Sequence, residues 1–149
     1  MILYLDTSAL VKRYFREAHT DDILSKWVAA KQIVTSSVAY AETMAAIYRK
    51  KREANLEEQL IQTIVALFSQ DWVSFVRVEV NDDLNATTSR LVETYPLSGF
   101  DAIHLASAMA VQERFPHDFV FGCFDNTLLR AARAEGIETF PQSDTAVSG

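Results

Sequence analysis

Ile2-Leu3-Tyr4-Leu5-Asp6-Thr7-Ser8 opens with four apolar residues and breaks off at a carboxylate followed by two hydroxyls. The run is too short for a helix and reads as a buried strand, with Asp6 directly beyond its carboxyl end. A second stretch has the same form: Phe119-Val120-Phe121-Gly122-Cys123-Phe124 is apolar throughout and also ends on an acid, Asp125. Uninterrupted apolar runs of this length suit strands covered on both faces, which is the condition of a parallel sheet. Working outward from these two strands, the chain alternates apolar runs with helical periodicities, and that alternation predicts an α/β fold.

The expected elements follow in order. A strand over 2–5 leads into a helix through Leu10, Tyr14 and Phe15, then a helix over 21–30 and a strand over 33–35. Ser36 and Ser37 offer N-caps for a long helix to Arg52. Residues 56–68 carry amphipathic spacing, 72–80 read as a strand and 82–95 as a helix. After the break at 96–99 come a strongly apolar helix over 100–114, the strand over 119–124, a helix over 126–134 and a last strand over 137–140. Five short strands joined by helical crossovers predict a mostly parallel sheet covered on both faces. Residues 1–140 are expected to form one domain, with 141–149, rich in Ser and Thr, expected as a flexible C-terminal tail.

Composition narrows the setting. With 149 residues, 49% hydrophobic, 11% aromatic, 4 Gly and 3 Pro, the chain is neither disordered nor linker-rich. The single Cys123 excludes an internal disulfide and a thiolate zinc site, so a reducing cytoplasm is the expected compartment. No apolar stretch reaches the roughly 18–20 residues that cross a bilayer, and no signal peptide or membrane partner is expected. The net charge of −6, from 14 basic and 20 acidic residues, excludes indiscriminate electrostatic capture of nucleic acid.

Where those acids fall is the informative part. In a parallel sheet the functional crevice lies beyond the carboxyl ends of the strands. Asp6 and Asp125 follow strands directly, and Glu42 lies near the second turn of the helix leaving the strand over 33–35. Asp101 opens a helix that runs antiparallel to the strand it feeds, so it starts at the same edge. Three of the four have a plainer reading: Asp6 and Asp125 as N-caps, and Asp101 within a Ser98 capping box. Glu42 resists it. Its helical neighbours Val38, Ala39, Ala45 and Ala46 are apolar or small, and a carboxylate buried there needs a cation or strong hydrogen-bond donors. Four acids with Thr7 and Ser8 beside them suit a hard cation, Mg²⁺ or Mn²⁺, and suggest phosphoryl-transfer chemistry. His19, His104 and His117 are scattered; His104, one turn after Asp101, reads as a packing histidine that can orient its neighbour. An aspartyl-nucleophile phosphatase also puts an acid after the first strand, but Ser8 stands where its second acid belongs.

Four segments together resemble PIN domains, most closely the VapC-type ribonuclease toxins of toxin–antitoxin pairs. They are Leu3 to Leu10, Ser37-Val38-Ala39-Tyr40-Ala41-Glu42, Gly99 to Ala108 (with Asp101 and His104), and Phe124-Asp125-Asn126-Thr127-Leu128-Leu129-Arg130-Ala131-Ala132. The resemblance implies a three-layer α/β/α fold and Mg²⁺- or Mn²⁺-dependent endoribonuclease activity on RNA. It places Asp6, Glu42, Asp101 and Asp125 as the catalytic, metal-binding quartet, with Ser8 supporting the first acid and Thr7 adjoining. It also implies a cognate antitoxin covering the site, and a homodimer. A non-catalytic PIN-like interaction module is the alternative. Two departures stand out: Cys123 replaces the usual hydroxyl two residues before the fourth acid, and Thr127 replaces a frequent acid or Asn. A thiol is the weaker hydrogen-bond partner, so Asp125 is expected to be held less firmly.

The basic run Arg49-Lys50-Lys51-Arg52 reads either as a solvated helix end or as a phosphate-tracking patch, with Lys12, Arg13 and Arg16 as further candidates. Setting the four acids apart leaves 16 against 14 basic residues, a remainder of −2, so selective, metal-gated engagement of RNA stays open.

Overall fold

Strand β1 (Ile2–Leu5) sits mid-sheet, with Leu3 and Leu5 turned to one face, Tyr4 to the other, and all three fully buried. The computed structural model describes residues 1–145. After β1 the chain forms one helical turn, α1 (Thr7–Leu10), and a 3-10 turn, Val11–Arg13. The longer helix expected through Phe15 ends there, where Arg13 and Tyr14 both reach across to Asp71. Next come α2 (Thr20–Ala29), β2 (Gln32–Ser36) and α3 (Ala39–Ala54). Neither Ser36 nor Ser37 caps α3 in the expected way: Val38 holds the cap position, and Ser36 Oγ accepts instead from the Val38 N–H at 3.2 Å. Asn55 closes α3 in the left-handed conformation that Asn tolerates.

The largest correction concerns 72–80. Helix α4 (Glu58–Ser74) runs through Trp72 and Val73, and only Val76–Val78 forms a strand, β3. Trp72 lies one helical turn from Phe68 and packs with the rings of Phe68, Tyr40 and Phe75. That packing overrides the strand preference of Trp and Val, which is weak and context-dependent. Helix α5 (Asp82–Thr94) is capped by Asn81 and α6 (Gly99–Arg114) by Ser98. β4 (Phe119–Gly122), α7 (Asn126–Ala134) and β5 (Thr139–Phe140) complete the chain, both strands shorter than expected.

All strand pairings are parallel, in the order β3-β2-β1-β4-β5. Leu3, Leu5, Leu10, Ile23, Ile47, Ile61 and Phe68 form the core on one face. Tyr4, Leu91, Leu105, Phe121 and Leu128 belong to the core on the other. The sheet is therefore sandwiched between helices, as a three-layer α/β/α arrangement requires. From β1 the chain steps outward to β2 and β3, then returns to place β4 on the opposite side of β1. The crossovers thus part between β1 and β4, and a crevice opens at that topological switch point. Of the tail expected at 141–149, residues 146–149 lie outside the described residues. Thr145 hydrogen-bonds Asn126 Oδ1 through its N–H at 2.9 Å, and Asp144 pairs with Arg130 and Arg133. Among the described residues no helix is long and apolar enough to cross a membrane.

Candidate active site

Asp6 emerges from the end of β1 and is 3% exposed. Its Oδ1 accepts from the Ala9 N–H at 2.9 Å, so it does cap α1 as the plainer reading holds. Ser8 Oγ adds a bond at 2.7 Å to the same oxygen, and itself accepts from the Phe124 N–H at 3.0 Å. One hydroxyl thus ties the end of β1 to the segment leaving β4. Burial still pushes the Asp6 carboxyl above its ordinary range, against the opposing pull of His104, Ser8 and the Ala9 N–H.

Asp125 caps α7, accepting from the Leu128 N–H at 2.9 Å. Cys123 Sγ accepts from the Asp125 N–H at 3.3 Å, the long contact a thiol allows where a hydroxyl would approach closer. Asp101 stands in the first turn of α6, whose cap is Ser98 Oγ on the Asp101 N–H at 3.2 Å. Burial, and then the charges of Asp125 and Asp6, push the Asp101 carboxyl upward, so these three carboxylates share one electrostatic environment.

Glu42 finds the donors that its apolar helix face demanded. Thr7 Oγ1 donates to Oε1 at 2.7 Å, and His104 Nε2 lies 2.8 Å from the same oxygen. The carboxylate only accepts, so Nε2 carries a proton, and the Tyr4 hydroxyl is hydrogen-bonded to Nδ1 at 2.8 Å. Burial pushes Glu42 up, but the bonds from His104 and Thr7 outweigh it and hold its carboxyl below the usual range. His104 is 1% exposed, so it is the packing histidine the sequence suggested, yet its bond goes to Glu42 rather than Asp101. No spacing rule links Tyr4, Glu42 and His104, which lie far apart in the chain.

Asp6, Glu42, Asp101 and Asp125 line one cavity of about 410 Å³ with Thr7, Ser8 and His104, and Lys12, Glu17, Arg49 and Lys50 line the same cavity. A larger cavity of about 590 Å³ lies between α5 and α6, but none of the expected site residues reaches it. The donor set is all oxygen and mutually repelling, which suits a hard divalent cation. The side chains do not already form a ligand cage: among the described residues no three His, Cys, Asp or Glu groups are placed to hold an ion.

The family model for the PIN domain matches residues 3–145, and with it all four acids. The chain belongs to the PIN domain family. This PIN domain is 28% identical to ribonuclease VapC45 of Mycobacterium tuberculosis over 140 residues, covering 94% of this chain and 95% of the relative. In fold it is similar to VapBC2 of Rickettsia felis, solved bound to a DNA fragment from their promoter. The TM-score is 0.64 and the identity 13%, with 93% and 97% of the two chains covered. A toxin–antitoxin complex from Klebsiella pneumoniae gives a TM-score of 0.55 at 20% identity, covering 83% and 87%. In the PIN domain of this chain the acids stand at the switch point between β1 and β4, where the crevices of open parallel sheets bind ligands.

Proposed function

We propose that this PIN domain is a metal-dependent endoribonuclease that hydrolyses RNA phosphodiester bonds and acts as the toxin of a toxin–antitoxin pair. The observation that carries this reading is the gathering of Asp6, Glu42, Asp101 and Asp125, from four separate segments, around one cavity at the switch point. The ribonuclease name of the 28% identical relative supports RNA as the substrate, and the structural likeness to a toxin–antitoxin complex supports an antitoxin partner. A homodimer belongs to the same proposal and is read by sedimentation.

Asp6, Asp101 and Asp125 would hold Mg²⁺ or Mn²⁺, with Glu42 offering the oxygen that Thr7 and His104 leave free. A hard divalent ion bound there supplies counter-charge for the phosphate and acidifies a water. The chain's own residues prepare that chemistry. Ser8 orients Asp6, and the Ser98 cap sets the start of α6 that carries Asp101. Thr7 and His104 keep Glu42 ionised, so Oε2 is free to accept a hydrogen bond from the attacking water. Asp6→Asn and Asp101→Asn should each lower Mn²⁺-dependent RNA cleavage by roughly 100-fold or more while leaving the circular dichroism unchanged. Wild-type activity in either variant sinks the assignment. Calorimetry showing no Mn²⁺ binding by the wild-type protein would favour a non-catalytic interaction module instead.

A further inference from the structure

We infer that Lys12 and Lys50, bridged by the single carboxylate of Glu17, form a preset contact for an RNA phosphate flanking the scissile one. The inference rests on the nuclease reading above and adds a substrate-positioning element to the same cavity. Of the basic residues singled out in the sequence, several are committed elsewhere. Arg13 is bound to Asp71, Arg16 to Asp21 and Lys51 to Glu58. Lys12 and Lys50, by contrast, line the cavity of the four acids.

Their arrangement is unlike a surface ion pair. Lys12 Nζ lies 3.1 Å from Glu17 Oε1, and Lys50 Nζ lies 3.0 Å from Glu17 Oε2, so each oxygen holds one ammonium. Each ammonium also faces a ring: Lys12 sits 4.7 Å from the centroid of Phe124 and Lys50 5.3 Å from that of Phe15. The Lys12 side chain is only 10% exposed. Burial pushes the Glu17 carboxyl up, but the bonds from Lys50 and Lys12 outweigh it and hold it low, so it stays ionised. The group carries a net charge of +1 in the cavity that the four carboxylates also line. A carboxylate between two ammonium ions presents the oxyanion geometry that a phosphodiester offers, so an incoming phosphate can replace one arm on each lysine.

Position decides which phosphate. Glu42, Ala46, Arg49 and Lys50 share one face of α3, and at 1.5 Å per residue Lys50 lies about 12 Å along the axis from Glu42. That backbone span roots Lys50 two turns beyond Glu42, so its ammonium can meet a phosphate further along the strand than the one held at the acids. Such a contact positions the backbone and reads no base.

The test is fluorescence anisotropy of a labelled 20-nucleotide single-stranded RNA with Mg²⁺ across a salt series, RNA integrity being checked by gel after each titration. Lys50→Gln and Lys12→Gln should each weaken binding roughly threefold to tenfold and lower the salt slope by about 0.7. Glu17→Gln, which raises the local charge to +2, should tighten binding by a similar factor and steepen the slope. A merely structural role for the cluster moves thermal stability but not the slope. If Lys12→Gln fails to fold, Lys50→Gln and Glu17→Gln decide. Unchanged affinity and slope in these variants, or weaker binding by Glu17→Gln, overturns the inference while the nuclease reading stands. Absence of salt-dependent RNA binding by the wild-type protein counts against both, and loss of cleavage in Asp6→Asn separates the two failures.

Discussion

Ser8→Ala removes a single oxygen atom, and the structure indicates that its cost is large for a half-buried serine. Oγ donates to the Asp6 carboxylate at 2.7 Å and accepts from the Phe124 N–H at 3.0 Å. A hydrogen bond to a charged group contributes about 1.5–3 kcal/mol, and a donor left unpaired on burial costs about 1–3 kcal/mol. Water reaching the half-buried site relieves part of this, which leaves about 2–4 kcal/mol. For a chain of this length that is a fall in Tm of roughly 6–12 °C. The loss should also depend on pH. The Ser8 bond favours ionised Asp6, and Asp6 already has a folded pKa raised by burial. A group of that kind has its stability contribution intact below the unfolded pKa and loses it as pH rises through the folded pKa. Deleting Ser8 Oγ raises that folded pKa further, so the deficit is greatest at neutral pH and shrinks as the medium is acidified through the carboxylate range. Differential scanning calorimetry at several pH values measures both quantities. Ser8→Thr keeps the hydroxyl and should recover most of the loss. A Tm for Ser8→Ala within about 2 °C of wild type at pH 7 would refute the account of Asp6 as a buried, hydroxyl-anchored carboxylate.

Two other expectations are independent of the site. Thr43 Oγ1 is buried in α3 without a hydrogen-bond partner among the described residues, so Thr43→Val should raise stability by about 1 kcal/mol in urea denaturation. Glu135, at the end of α7, is held below the usual carboxylate range by Arg90 and then Tyr95. Its contribution is present above the unfolded pKa and fades as pH falls through the folded one. Glu135→Gln should therefore destabilise by about 1 kcal/mol at pH 7 and by progressively less in acid, as read from urea midpoints at each pH.

The acids show how far linear reading reaches. Asp6 and Asp125 were legible because an apolar run that stops at a carboxylate marks both the strand and its functional end, and those markers are local. Asp101 was legible because the helix it opens feeds a strand and so starts at the same sheet edge, although its capping box, a local signal, favoured the plainer reading. Glu42 was legible as a charge without a partner, but the partners themselves were not. Thr7 and His104 come to it from other elements, and only packing brings α1, α3 and α6 together. Trp72 misled in the opposite direction: its strand-like neighbourhood is local, whereas the rings of Tyr40, Phe68 and Phe75 that keep it helical are a tertiary set.

The same division runs through the function. Periodicity and the placement of acids after apolar runs determine an α/β chain with carboxylates at one sheet edge, because both depend on neighbours in sequence and on burial. Strand order was decided by tertiary structure alone. With β4 paired to β1 rather than to β3, Asp6 and Asp125 stand side by side at the switch point. Glu17 likewise meets Lys12 and Lys50 only where the 3-10 turn packs beside α3. Through-space Coulomb and hydrogen-bond terms act over a few ångströms, whatever the separation along the chain. For that reason charge counts could bound the partner of this protein, and folding had to choose which charges face it.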